Sequence, residues 1–94
     1  MARAILNGVV IAESDTYEVV EGNVYFPHEA IKREYFTPTS RHTRCGWKGT
    51  ASYYTVQVGD VTETNVAWYY PDPKPAAQNI ANHVAFYRRV TIER

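Results

Sequence analysis

Thr50-Ala51-Ser52-Tyr53-Tyr54-Thr55-Val56-Gln57-Val58-Gly59-Asp60-Val61-Thr62-Glu63-Thr64-Asn65-Val66-Ala67-Trp68-Tyr69-Tyr70 sets two long runs rich in β-branched and aromatic residues around Gly59-Asp60. A two-residue loop there makes a hairpin in which Val58 faces Val61, Tyr53 faces Val66, Ala51 faces Trp68 and Gly49 faces Tyr70. Side chains alternate along a strand. One face therefore gathers Trp47, Gly49, Ala51, Tyr53, Val66, Trp68 and Tyr70. The other takes Ser52, Tyr54, Val56, Val58, Val61, Glu63, Asn65, Ala67 and Tyr69. On the first face small residues stand opposite large rings, which leaves room beside Trp68 and Tyr70.

Working outward, Asn7-Gly8 between Ala4-Ile5-Leu6 and Val9-Val10-Ile11 is a second hairpin signal, because a type I′ turn needs positive φ at both central residues. It pairs Leu6 with Val9, Ala4 with Ile11 and Ile5 with Val10, so both faces are apolar near the turn. That pattern suits a hairpin covered on both sides or a contact between subunits. Thr16 to Val20 and Val24-Tyr25-Phe26 form a further pair turning at Gly22-Asn23, with Glu21 opposite Val24 and Val20 opposite Tyr25. Pro27 ends that strand. His28 to Phe36 has a partial helical stripe of two turns, Thr37-Pro38-Thr39-Ser40 reads as loop, and Lys74 to His83 reads as a helix with Pro75 in its first turn. Val84-Ala85-Phe86-Tyr87 and Val90-Thr91-Ile92 supply the last strand. The expected fold is a mainly β, single-domain chain of residues 1–94, with six or seven short antiparallel strands in a curled sheet or small barrel and two short helices.

Composition narrows the function classes. A chain of 94 residues builds one core, and its 45% hydrophobic content and 8 Tyr are incompatible with disorder. No apolar run approaches the roughly 18 residues of a membrane span, and Met1 to Leu6 runs straight into a turn without a signal-peptide pattern. With a single Cys the fold holds without an internal disulfide, and the cytoplasm is the expected compartment. The formal net charge is zero but unevenly spread: residues 1–31 are acidic, whereas Lys32, Arg33, Arg41, Arg44 and Lys48 face only Glu34 in the next segment. Placed on one face, that segment favours an anionic ligand.

The residue types point to several chemistries. Lys48, beside Trp47 and flanked by Gly49, is either a phosphate-binding cation, a nucleophile with a lowered pKa, or a surface Lys whose stem lies along the indole. Cys45 near Arg44, Lys48 and His42 is either a reactive thiol or an inert buried one. Glu13 and Asp15 share a strand face and have carboxylates for a divalent cation, although such residues more often simply end a strand. His28, His42, His83 and Cys45 lack a close-spaced ligand pair, so no metal site is expected. Trp47, Tyr53, Trp68 and Tyr70 form either a stacking wall for a planar ligand or plain core. No Walker loop, dinucleotide fingerprint or nucleic-acid signature occurs, and no cofactor is expected.

Asn7-Gly8, Glu21, Tyr25-Phe26-Pro27, Cys45 through Tyr54, Ala67-Trp68-Tyr69-Tyr70-Pro71 and Val84-Ala85-Phe86-Tyr87 resemble, in order, the small bacterial domain-of-unknown-function family 427. Its signature Cys-x-Trp-Lys-Gly-x-Ala-x-Tyr, followed by Ala-Trp-x-Tyr, spans the same residues singled out above. Gly46 stands where members typically have Pro. The resemblance implies a compact, mainly β domain, adds Glu21, Tyr25 and Pro27 to the residues of interest, and brings a nucleotidyltransferase-like name. That name sits poorly with the chemistry, since Asp15, Asp60 and Asp72 form no Asp-x-Asp pair and Lys48 is followed by Gly49-Thr50-Ala51 rather than the ligase pattern Lys-x-Asp-Gly.

The expected function is binding of a small planar or anionic ligand in an aromatic notch. Its candidate residues are Glu21, Tyr25, His42, Arg44, Trp47, Lys48, Tyr53, Trp68 and Tyr70. Two alternatives stand beside it: a slow enzyme using Lys48 or Cys45, and an interaction or homo-oligomerisation module built on the Asn7-Gly8 hairpin.

Overall fold

The computed structural model describes residues 1–94 and folds them into nine strands. These are β1 (Ala2–Leu6), β2 (Val9–Ser14), β3 (Glu18–Val20), β4 (Asn23–Pro27), β5 (Phe36–Cys45), β6 (Gly49–Val58), β7 (Val61–Tyr69), β8 (His83–Phe86) and β9 (Thr91–Glu93). All ladders between strands are antiparallel, in two sheets ordered β2-β1-β9 and β3-β4-β8-β7-β6-β5. The chain is mainly β, as its alternation implies, but the sheets stay separate and close no barrel. Both expected helices are replaced by short 3-10 turns, and no helix is long and apolar enough to cross a membrane.

Two apolar clusters explain the layering. Ala2, Ala4, Leu6, Ile11 and Ala12 from the small sheet meet Phe26, Tyr54, Val56, Val58, Val84 and Phe86 from the large one in a core of 16 buried residues. The opposite face of the large sheet carries Tyr25, Ala51, Tyr53, Trp68, Tyr70 and Ala85, and only Ala77 and Ile80, from the 3-10 segment Pro75–Ile80, lie over it. One face is thus roofed by a sheet, the other by a single short segment.

Local departures from the expected elements have identifiable causes. The helix expected over residues 28–36 is broken at Ile31, which is extended, bridges Ala12 and is buried; the next amide, Lys32, donates to the Ile11 carbonyl. Burial against β2 overrides a weak helical stripe. Residues 37–40 are strand rather than loop, because β5 is an edge strand where Pro38 needs no donor, and its register with β6 is interrupted between Pro38 and His42. Over residues 74–83 the helix gives way to 3-10 turns kinked at Ala77 (φ −120°).

The hairpins are also revised in register. Asn7 and Gly8 have φ of 51° and 75°, as a type I′ turn requires, and Leu6 faces Val9 and Ile5 faces Val10. A bulge then sets Ala4 opposite Ala12 instead of Ile11, and both Ile11 and Ala12 are buried. The β3–β4 turn is Glu21-Gly22, one residue earlier than expected, so Val20 faces Asn23 and Glu18 faces Tyr25. In the central hairpin Val58 faces Val61, but past Glu63 the register shifts by two residues, so Tyr53 faces Trp68 and Ser52 faces Tyr69. The irregularity centres on Asn65 (φ 53°), whose amide bonds Thr55 Oγ1 and whose Oδ1 accepts from Thr39 Oγ1 at 2.6 Å. It turns Val66 away from Tyr53 and into the larger cluster beside Ala67.

Candidate functional site

Lys48 ends the turn Gly46–Lys48 between β5 and β6, and it is the only charged residue buried in the fold. Its ammonium donates to a Glu21 carboxylate oxygen and lies 5.1 Å from the Trp47 ring centre and 5.8 Å from that of Tyr70. The register of the β3–β4 hairpin supplies that partner. Glu21 takes the left-handed turn position at φ 54°, an uncommon conformation for a glutamate, and its carboxylate reaches from the hairpin tip to the lysine. Burial drives the Lys48 pKa down, but the Glu21 hydrogen bond and the charges of Tyr25, Glu21 and Cys45 outweigh it, so the ammonium is held above its ordinary value. The Glu21 carboxyl is correspondingly lowered, chiefly by the hydrogen bond from Lys48, with the Trp47 indole contributing less.

Around this pair stands a wall of hydroxyls. Tyr25 is fully buried, and its oxygen accepts from Trp68 Nε1 at 3.2 Å while the two rings meet edge to face. Burial raises the Tyr25 and Tyr70 phenols above their usual range, the latter well beyond it. Tyr53 Oη bonds Thr43 Oγ1 at 2.8 Å and approaches Tyr87 Oη at 3.4 Å, and the Arg41 guanidinium lies over its ring. Burial pushes the Tyr53 phenol up, yet its hydrogen bonds with Thr43 and Tyr87 and the nearby Arg41 charge bring it below the ordinary value. The Tyr70 hydroxyl takes no hydrogen bond from the chain and is not sealed from solvent. Cys45, half-buried, packs against this cluster.

Of the residues chosen from sequence, Glu21, Tyr25, Cys45, Lys48, Tyr53, Trp68 and Tyr70 gather on one face of the large sheet, with Trp47 at its rim and 41% exposed. His42 and Arg44 do not join them. They pair with Ser52 and Thr50 and point to the reverse of the hairpin, since the intervening Thr43 is the residue bonded to Tyr53. Glu13 is ion-paired with Arg3, and no three His, Cys, Asp or Glu side chains come together anywhere in the chain. Thr43, Arg41 and Tyr87 are additions that pattern reading missed. The first two lie in a stretch without clear alternation, whereas Tyr87 closes the Val84-Ala85-Phe86-Tyr87 motif. Asn7, in the hairpin considered for self-association, donates from Nδ2 to the Val58 carbonyl at 3.2 Å.

A family model described as a domain of unknown function (DUF427) matches the chain over residues 1–94. No curated protein matches it.

Proposed function

Because the chain belongs to the domain-of-unknown-function family 427, its chemistry has to be read from the site, and we propose that it binds a small planar molecule bearing an anionic or acceptor group at Lys48, beside the Trp47 ring. The observation that carries this reading is hydrogen-bonding capacity left unused by the chain at the solvent-reached edge of a largely buried cluster. Lys48 is 7% exposed and Tyr70 5% exposed, yet the ammonium gives one of its three N–H groups to Glu21 and the Tyr70 hydroxyl bonds nothing in the chain. A ligand oxygen seated between them completes both, and the half-exposed Trp47 ring offers a stacking surface at the mouth.

The same electrostatics argue against Lys48 as a nucleophile. An amine attacks only when unprotonated, and Glu21 holds this one charged. Its role is that of a fixed cation, with Glu21 setting its direction.

An amide and indole NMR titration with aromatic carboxylates and nucleoside monophosphates tests the reading. Saturable shifts centred on the Trp47 indole, Lys48 and Tyr70 are expected, and Lys48→Met removes them. Retention of the shifts in that variant, or silence across the panel with the Tyr25 and Tyr70 amides strongly protected from exchange, refutes it.

A further inference from the structure

The geometry points to a second ligand site on the reverse of the β5–β6 hairpin, a cleft for a phosphate monoester whose alcohol part carries free hydroxyls. The strand register builds its floor: His42 stands opposite Ser52 and Arg44 opposite Thr50, all four on the side away from Tyr53. The wall is the segment from Pro71 to Lys74. Gly49, at φ 115°, lets this segment close on the hairpin, and a Cβ there would lie 3.4 Å from the Asp72 carbonyl. Lys74 is fixed twice, its amide donating to the Lys48 carbonyl at 2.9 Å and its ammonium to the Gly46 carbonyl at 2.7 Å. The resulting recess has a volume of about 350 Å³, and apart from Gly49 and Pro71 its lining residues are polar or charged.

The chemistry of the lining is selective. Arg44 takes part in none of the chain's three ion pairs, and the Lys74 ammonium keeps two N–H groups after its bond to Gly46. A free guanidinium, a positioned ammonium and the hydroxyls of Thr50 and Ser52 together suit a compact, doubly charged tetrahedral oxyanion. The Asp72 carboxylate on the same rim repels a second phosphate and accepts from an alcohol hydroxyl. That combination favours a phosphorylated polyol over a polyanion. The cleft shares none of its lining side chains with the Lys48 site, although the backbone of the Gly46–Lys48 turn anchors its wall.

The test is an amide NMR titration of the full chain with inorganic phosphate and with ribose 5-phosphate, at ionic strength held constant with sodium chloride. Both ligands give saturable shifts at the Thr50, Ser52 and Asp72 amides, with ribose 5-phosphate saturating at lower concentration. Arg44→Gln, at an exposed edge position, weakens both about tenfold or more, the loss expected for one charge-assisted hydrogen bond. Asp72→Ala, which removes the hydroxyl acceptor, abolishes the preference for ribose 5-phosphate over inorganic phosphate. Shifts that follow ionic strength alone, that survive in Arg44→Gln, or that centre on Trp47 and Lys48 overturn the assignment. Equal affinity for both ligands in the unmodified protein overturns its polyol half.

Discussion

The two faces of the six-stranded sheet bury side chains for different ends. The face toward the small sheet belongs to a cluster of 16 residues in which Tyr54 is the only buried member with a polar side-chain atom, and His28 Nε2 meets its hydroxyl at 2.8 Å. The opposite face belongs to a cluster of 8, of which Tyr25, Tyr53, Trp68 and Tyr70 bring polar atoms inward. A face made of aliphatic and phenyl groups gains from burial without needing partners. A face of phenols and an indole has to pair what it buries, which fixes geometry and leaves gaps where pairing is incomplete. Apolar packing and polar pairing are thereby divided between opposite sides of the same strands, with alternate residues of β4, β6 and β8 serving each.

The largest effect that tests this division comes from neighbouring residues on β4. Phe26 and Tyr25 are both fully buried and point to opposite faces. Phe26→Ala empties the center of the larger cluster and is expected to cost about 3–5 kcal/mol in urea unfolding. Tyr25→Phe keeps the ring and strips the hydroxyl from Trp68 Nε1, with an expected cost of about 1–3 kcal/mol. Equal costs would mean that the phenol face carries the fold as much as the aliphatic one does, and the division would fail.

A smaller effect is expected at Asn65, the residue that decides which face Val66 joins. Asn65→Ala forces an alanine into the left-handed region and removes the bond from Thr39, for an expected loss of about 1–2 kcal/mol. Asn65→Gly loses the side-chain bond but keeps the backbone freedom, so its unfolding midpoint should fall between those of the parent and the alanine variant. If alanine proves as stable as glycine, backbone conformation is not what holds the bulge.

Asn65 also marks where alternation stops being readable. The hairpin partners near Gly59-Asp60 follow from the turn alone, and the grouping of Ala51, Tyr53, Trp68 and Tyr70 survives because a shift of two residues preserves parity. Val66 changes face because the shift occurs through an irregular residue that pattern reading treats as ordinary strand. The Glu21-Gly22 turn was misread for a related reason: glycine and asparagine are the usual occupants of positive φ, and a glutamate there has no local signal. Its partner lies 27 positions away in Lys48, so only tertiary structure joins the two. The aromatic face and Lys48 were legible as residue types. The separation of His42 and Arg44 from them was not, because Pro38 and the irregular pairing up to His42 hide the phase of β5.

The gentlest way to sharpen the comparison is pH, since each face carries its own acid-sensitive group. His28 stacks edge to face on Tyr54 and Tyr69, and burial holds its imidazole below the ordinary 6.5. The unfolded chain then binds the proton more readily, so stability is full above pH 6.5 and declines as the pH falls from there through the lowered folded value. On the other face Glu21, lowered by its bond from Lys48, adds a second decline that begins below its ordinary 4.5. At high pH the signs reverse for groups whose folded values are raised. The contributions of Tyr25 and Tyr70 are present below pH 10 and are lost above it, and that of Lys48 follows above 10.5. Urea midpoints should therefore hold steady near pH 7 and fall in two steps on acidification, while the lowered Tyr53 phenol adds stability as the pH rises toward 10. His28→Gln is expected to remove the upper step alone and Lys48→Met the lower one alone. If either substitution moved both steps, the faces would be coupled through the sheet, and a ligand at Lys48 would then alter the protonation of His28 on the far side.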